Sequence, residues 1–272
     1  MGYDISYHPI KETELNDWYF NLDLFKILDE DYSELEALAR LHGIDDFYLQ
    51  KYKDLLKVTS NIEPDEAFEN TYGYFAAVAQ GYFKQYFYIR GGVFSFLIAD
   101  KPYFSNYTKP WEEILSYKYD NPIYNRINNS YSSGVYIPAD KALQLWNDYQ
   151  TDPQVKKDLE AFFSFGRLSV FLKALQFAIT NGDGILEATE VIEPNPLNLN
   201  ESSCYSNLFN CDPEGALLYQ QTANQQLAEI EQREGLETGE IAEKASYVKT
   251  QVSLPKPASE EKKGFFKRLF GK

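Results

Sequence analysis

The chain has 272 residues, room for one large domain or two small ones, and 44% of them are hydrophobic, with 22 Tyr, 19 Phe and 3 Trp. Against 26 Lys and Arg stand 41 Asp and Glu, a net charge of −15 that repels phosphate backbones and argues against a nucleic-acid partner. Two cysteines and two histidines are too few for a disulfide scaffold or a zinc cluster.

The N-terminus, Met1-Gly2-Tyr3-Asp4-Ile5-Ser6, has neither a basic start nor an apolar run, so no secretory signal is expected, although Gly2 with Ser6 fits the bare myristoylation pattern. Tyr32, Leu35, Leu38, Ala39 and Leu41 repeat at helical spacing and stop at Gly43. Phe68, Tyr72, Phe75, Ala76, Ala79, Phe83 and Phe87 line one face of a second helix, ended by Gly91-Gly92. Val93 to Ala99 and Gly134 to Ile137 are the strand candidates. Helices are expected after Pro138, after Asp152-Pro153, from Arg167 to Thr180, and from the Asp212-Pro213 start to about Arg233.

From Gly235 onward the apolar content falls, and Pro255, Pro257 and Ser259 read as a linker. Residues 256–272 hold six basic and two acidic side chains, net +4, which leaves −19 on residues 1–255. The tail carries Phe265, Phe266, Leu269 and Phe270 among Lys262, Lys263, Lys267 and Arg268. Three fates are open to it: disorder, docking on the acidic body, or contact with an anionic membrane. The expectation is a mainly α, compact multi-helix domain with a few short strands over residues 1–234, followed by a linker and disordered basic aromatic tail over 235–272. The uncharged stretch Asn70 to Phe83, which none exceeds, is far short of the ~18–20 apolar residues that span a bilayer, so no stable membrane insertion is expected. A cytoplasmic location with Cys204 and Cys211 as thiols follows.

Four features bear on chemistry. Asn181, Asp183 and Glu190 fall at ligand positions of a calcium loop centred on Gly184, but Ile179 occupies the first position, where a carboxylate is needed. The Asn-Gly and Asp-Gly pairs read instead as a turn after a helix. Nucleophilic catalysis would need His8 or His42 as base, and neither sits in a nucleophile motif; each reads as a surface or capping histidine. Cys204 and Cys211 lack further ligands for zinc. No cofactor and no catalytic residue is expected, and the chain reads as a non-enzyme. The remaining feature is the Tyr, Asn and Ser mixture between Tyr103 and Tyr136. Its aromatics either pack a long loop onto the helices or present a contact surface built from Tyr103, Tyr107, Trp111, Tyr117, Tyr119, Asp120, Tyr124 and Tyr131.

The opening Met1 to Pro9, the block Gly134-Val135-Tyr136-Ile137-Pro138 leading into a helix, and Gly184 to Val191 resemble immunity partners of secreted toxins in type VI secretion and related polymorphic-toxin systems. The resemblance implies a protein that binds and neutralises a cognate toxin by occlusion. Acidity fits that role, because it steers a basic partner into contact. The alternatives are an adaptor or chaperone that loads an effector without inhibiting it, and an enzyme that reverses a toxin's modification.

Overall fold

The computed structural model describes residues 2–59, 68–115 and 123–244, and the chain is mainly α around a small mixed sheet. Strand β1 (Asp4–Ile10) is followed by α1 (Glu12–Leu15), a π-helical turn (Asn16–Phe20), α2 (Leu24–Leu28), α3 (Ser33–Leu41) and α4 (Asp46–Thr59). Helix α5 (Asn70–Phe83), strand β2 (Tyr86–Arg90), α6 (Phe94–Asp100), a 3-10 turn (Pro102–Tyr107) and α7 (Trp111–Ile114) come next. Strand β3 (Ser133–Ile137), helices α8 (Ala139–Thr151), α9 (Pro153–Phe162) and α10 (Arg167–Asn181), and strand β4 (Gly184–Thr189) complete the body of the fold. Short strands β5 (Ile192–Glu193), β6 (Ser203–Cys204) and β7 (Cys211–Asp212) lead to α11 (Glu214–Glu234) and α12 (Glu240–Lys244).

The five-stranded sheet runs β3-β4-β1-β2-β7, with β1 antiparallel to both neighbours and β7 parallel to β2. Side chains alternate across it and both faces are buried. Ile5, Tyr7, Phe87, Ile89, Val135, Ile137 and Ile185 join one core with α6, α8, α9 and α10. Ile10, Tyr86, Tyr88, Tyr136, Leu186 and Ala188 join the other with the π turn, α4, α5 and α7. A strand covered on both sides has no polar face, so it shows no two-residue period in sequence. That is why β4 carries no strand signal, whereas β1 alternates Ile5 and Tyr7 with Asp4, Ser6 and His8 over too few residues to mark a strand. Pro9 fits in β1 because pairing with β2 stops at Tyr7↔Phe87. Its carbonyl instead accepts from Gln80 Nε2 at 2.9 Å.

Several helix boundaries follow their local chemistry. Asp23 accepts from the backbone N–H groups of Phe25 and Lys26 at the start of α2. Asp152 caps α9 in the same way, with Pro153 in the first turn. Asp212 accepts from Glu214 N at 3.1 Å, and α11 starts one residue later than the Asp212-Pro213 pair implies, with Pro213 at the cap position. Gly43, Gly182 and Gly235 close α3, α10 and α11 in left-handed conformations.

Three expectations are corrected. The second helix stops at Phe83, and Phe87 lies on β2, because Lys84 turns extended and the aromatic run Tyr86 to Tyr88 suits a strand. Val93 to Ala99 is helix α6 rather than a strand; a short apolar run does not declare its period. The folded body also continues past 234. Leu236 N donates to Glu231 O, and the buried Glu231 carboxylate accepts from Gly239 N and Ile241 N, each at 2.9 Å, pinning α12 against α11. The linker prolines and the basic aromatic tail lie outside the described residues. Among the described residues, no helix is long and apolar enough to cross a membrane.

Helix α11 reaches the sheet through Gly215, where a Cβ would stand 1.7 Å from the Tyr88 carbonyl oxygen. Helix propensity alone favours Gly215→Ala by about 1 kcal/mol. The forced separation of α11 from β2 should outweigh that, and a net loss of at least ~2 kcal/mol is expected in urea denaturation. A variant as stable as the parent would contradict this packing.

Candidate functional site

The expected tyrosine surface is largely core. Trp111 is fully buried and donates its indole N–H to Gly134 O at 2.9 Å. Tyr107 is buried with its hydroxyl on Asp148 at 2.7 Å, and Tyr103, half-buried, donates to Asp158 at 2.9 Å. Tyr131 is half-buried, bonded to Glu193 and packed edge-on against Tyr74 and Tyr205. These four are corrected from contact surface to packing, because their rings fill the space between helices and sheet. Tyr124 alone among the described members stands in solvent, while Tyr117, Tyr119 and Asp120 lie outside the described residues.

A different surface combines exposed apolar groups with negative charge. The helical layer of α2, α3 and α4 exposes Phe25 (58%), Leu28 (46%), Leu41 (79%) and Phe47 (61%). Phe25 and Leu28 share a face of α2 at helical spacing, and Leu41 and Phe47 flank the α3–α4 turn. Residues 21–59 hold nine carboxylates against five Lys and Arg, net −4. Three of the lysines are already spent locally, as Lys26–Glu34, Lys53–Glu36 (2.6 Å) and Lys57–Glu30 (3.3 Å). Sequence periodicity had marked Leu41 as part of an inward face; its place at the end of α3 leaves it outside.

The central sheet holds two buried ionisable groups, one on each face. His8 Nδ1 lies 2.6 Å from Gln80 Oε1, and Nε2 lies 2.8 Å from Ser6 Oγ. Gln80 Nε2 donates to the carbonyls of Pro9 and Gln85, so its oxygen accepts, and the neutral ring carries its proton on Nδ1. Ser6 then donates to Nε2. A serine, a histidine and an orienting amide thus stand in the order a nucleophilic site requires. Ser6 and His8 are 1% and 0% exposed, however, and burial pushes the imidazole pKa down to about 4. No substrate reaches this pair, and the expectation of a surface or capping His8 is corrected to a core residue stacked on Tyr86. His42 does sit at a helix end, edge-on to Trp18 and Phe83.

On the opposite face Glu187 is fully enclosed, and burial pushes its carboxyl up to about 7 against the opposing effect of Ser95 and Val135 donors. The backbone N–H groups of Ser95 and Val135 each lie 3.3 Å from its oxygens, tying α6 and β3 to β4. The β3–β4 register slips between Ser133 and Tyr136, and Gly134 lies in that slip with no room for a Cβ beside the Glu187 carboxylate.

The calcium-loop positions are separated by secondary structure. Asp183 pairs with Lys84 (3.0 Å), which also meets Glu14 at 2.6 Å, whereas Glu190 accepts from Tyr131 N beyond the far end of β4. The turn reading of Asn181-Gly182 holds, with Gly182 at φ 65°. Cys204 and Cys211 are free thiols, and Cys204 Sγ lies 3.2 Å from Tyr86 Oη. Burial raises both thiol pKa values, which disfavours the reactive thiolate. Among the described residues, no group of three or more His, Cys, Asp or Glu is placed to hold a metal ion.

The two buried groups oppose each other in pH. Glu187 titrates higher in the folded chain than in the unfolded one (about 7 against 4.5), so its contribution falls as pH rises through that window. His8 titrates lower (about 4 against 6.5), so its contribution falls as pH drops. Each window amounts to about 3 kcal/mol, and between pH 4.5 and 6.5 the two slopes cancel. Relative to the parent, Glu187→Gln should become less stable toward low pH across this range, and His8→Gln less stable toward high pH. Urea midpoints at several pH values check both; parallel profiles for parent and variants would contradict the assignment.

No protein-family model, no curated protein and no solved structure matches the chain.

Proposed function

We propose that this protein binds and neutralises a basic, secreted protein toxin by occlusion, acting through the exposed α2–α4 layer rather than through the Tyr103–Tyr136 segment. The observation that carries this reading is the coincidence of Phe25, Leu28, Leu41 and Phe47, all exposed, with a net negative helical layer on a chain of charge −15. Large apolar side chains in water cost free energy that a partner recovers, and aromatic anchors ringed by polar groups are the usual makings of an interface hot spot. The surrounding carboxylates favour a cationic partner and accelerate encounter. The layer rests on α5, which in turn packs against the sheet. The most reactive-looking group, the Ser6–His8 pair, is closed to substrate, which also favours binding over chemistry.

The test is co-expression of the protein with a candidate toxin at varied ratios. Occlusion protects only near or above one-to-one, whereas protection by one copy per many toxin molecules would establish an enzyme instead. A stable complex in which the toxin stays active would establish an adaptor. Phe25→Ala and Phe47→Ala should together weaken the complex by at least ~2 kcal/mol with the fold intact. The association rate should fall steeply with added salt while dissociation changes little, since steering is screened and buried contacts are not. Binding unaffected by both substitutions would remove the α2–α4 layer from the interface.

A further inference from the structure

An open cleft of about 450 Å³ lies where α10 and α11 flank the second half of β2. Strand β2 pairs with β7 only at Tyr86 and Phe87, so Tyr88 to Arg90 run on without a strand at that edge among the described residues. Arg167 and Val170 of α10 line one side, Leu218, Tyr219 and Thr222 of α11 the other, with Arg90 between them. The volume falls in the range of small-molecule sites, roughly 300–1,000 Å³.

Its charge is the reverse of the rest of the chain. Arg90 is neutralised by Asp4 at 2.6 Å and its guanidinium lies 5.1 Å from the Tyr219 ring centroid, which braces that wall. Arg167 has no such partner. Its Nε donates to Ser164 O (2.8 Å), Nη2 to Ser164 Oγ (2.9 Å), and Nη1 to the carbonyls of Arg90 (3.3 Å) and Gly91 (3.4 Å). Every acceptor is neutral, and no carboxylate lies within ion-pair distance among the described residues. Burial disfavours the charged guanidinium, and no counter-charge among the described residues offsets that cost. Asp and Glu are abundant in this protein, yet none is placed here.

The rim adds an aromatic surface. Phe165 is 78% exposed at φ 57°, followed by Gly166 at φ 77°, two successive left-handed residues that fix the ring outside the core. The Arg167 guanidinium lies 5.6 Å from its centroid. One remaining Nη2–H of a guanidinium without a counter-charge, apolar walls from Val170 and Leu218, and a stacking ring describe a ligand with an anionic head on a flat apolar body. We propose that this cleft binds a small organic anion, a carboxylate or a phosphate monoester on an aromatic body, with the anion seated on Arg167. Such a ligand is independent of the toxin-binding reading and of the α2–α4 layer.

The test uses the full chain and four probes in isothermal titration: phenylacetate, phenyl phosphate, inorganic phosphate and phenethylamine. At least one aromatic anion should saturate, and phenylacetate against phenyl phosphate distinguishes the carboxylate from the phosphate head. Phenethylamine should not bind, and inorganic phosphate should bind at least tenfold more weakly than the better aromatic anion. Arg167→Gln should weaken that probe at least tenfold. Arg167 also braces its own loop, so Thr222→Trp serves as the second variant: it fills the cleft from α11, leaves the Arg167 contacts alone, and should abolish binding while far-UV circular dichroism stays unchanged. Failure of both aromatic anions to saturate by ~10 mM, equal binding of phenethylamine, or unchanged affinity in folded Thr222→Trp would overturn the proposal.

Discussion

A strand hydrogen-bonded on both edges and buried on both faces has no solvated side, so every polar group it carries must find its partner inside. Strand β1 is in that position, between β4 and β2 and between two hydrophobic cores. His8 is satisfied by Gln80 from α5 and by Ser6, and both stay neutral, while Tyr7 on the other face donates to Gly92 O and accepts from Phe94 N at 3.2 Å. The Glu187 carboxyl, directly opposite Tyr7 in the register, collects backbone donors from α6 and β3. Each face of the sheet thereby acquires one polar fastening that ties helices to strands, and burial disfavours the charged form of the ionisable group at its centre.

The same constraint sorts charge to the periphery. Ion pairs such as Lys84 with Glu14 and Asp183, or Lys173 with Asp212 (2.7 Å) and Glu214 (3.1 Å), sit at element ends, where the lysines keep contact with water although Asp183 and Asp212 are buried. The α2–α4 layer keeps exposed Phe25 and Phe47 among carboxylates, and the cleft beside β2 keeps an arginine without a carboxylate. On the two proposed readings the first surface would take a cationic macromolecule and the second a small anion.

Much of the helical content could be read from residues alone, because its signals are local. Gly43 and Gly235 end helices where left-handed residues are needed, Asp152-Pro153 opens α9, and the apolar stripe of α8 faces inward. Of the sheet, Gly134 to Ile137 was legible as a strand, whereas β1, where Ile5 and Tyr7 alternate with Ser6 and His8 over only a few residues, was not, and its partners lie as far away as residues 184–189. Aromatic abundance between Tyr103 and Tyr136 pointed to a surface, but composition does not tell a contact tyrosine from a packed one. The hydroxyls of Tyr103 and Tyr107 find Asp158 and Asp148 only through tertiary structure. The exposure of Phe25 and Phe47, and the unpaired state of Arg167, likewise depend on which helices meet.

If the doubly covered sheet is the platform on which everything else rests, its amides open only when the whole chain unfolds, whereas peripheral helices open locally. Native-state hydrogen exchange followed by mass spectrometry, across a series of sub-denaturing urea concentrations, measures this directly. The amides of Ile5 to His8 and Ile185 to Ala188 should exchange with the free energy and urea dependence of global unfolding, and those of α2 and α3 well before them. Exchange of β1 and β4 at the rate of α2 and α3 would contradict the account.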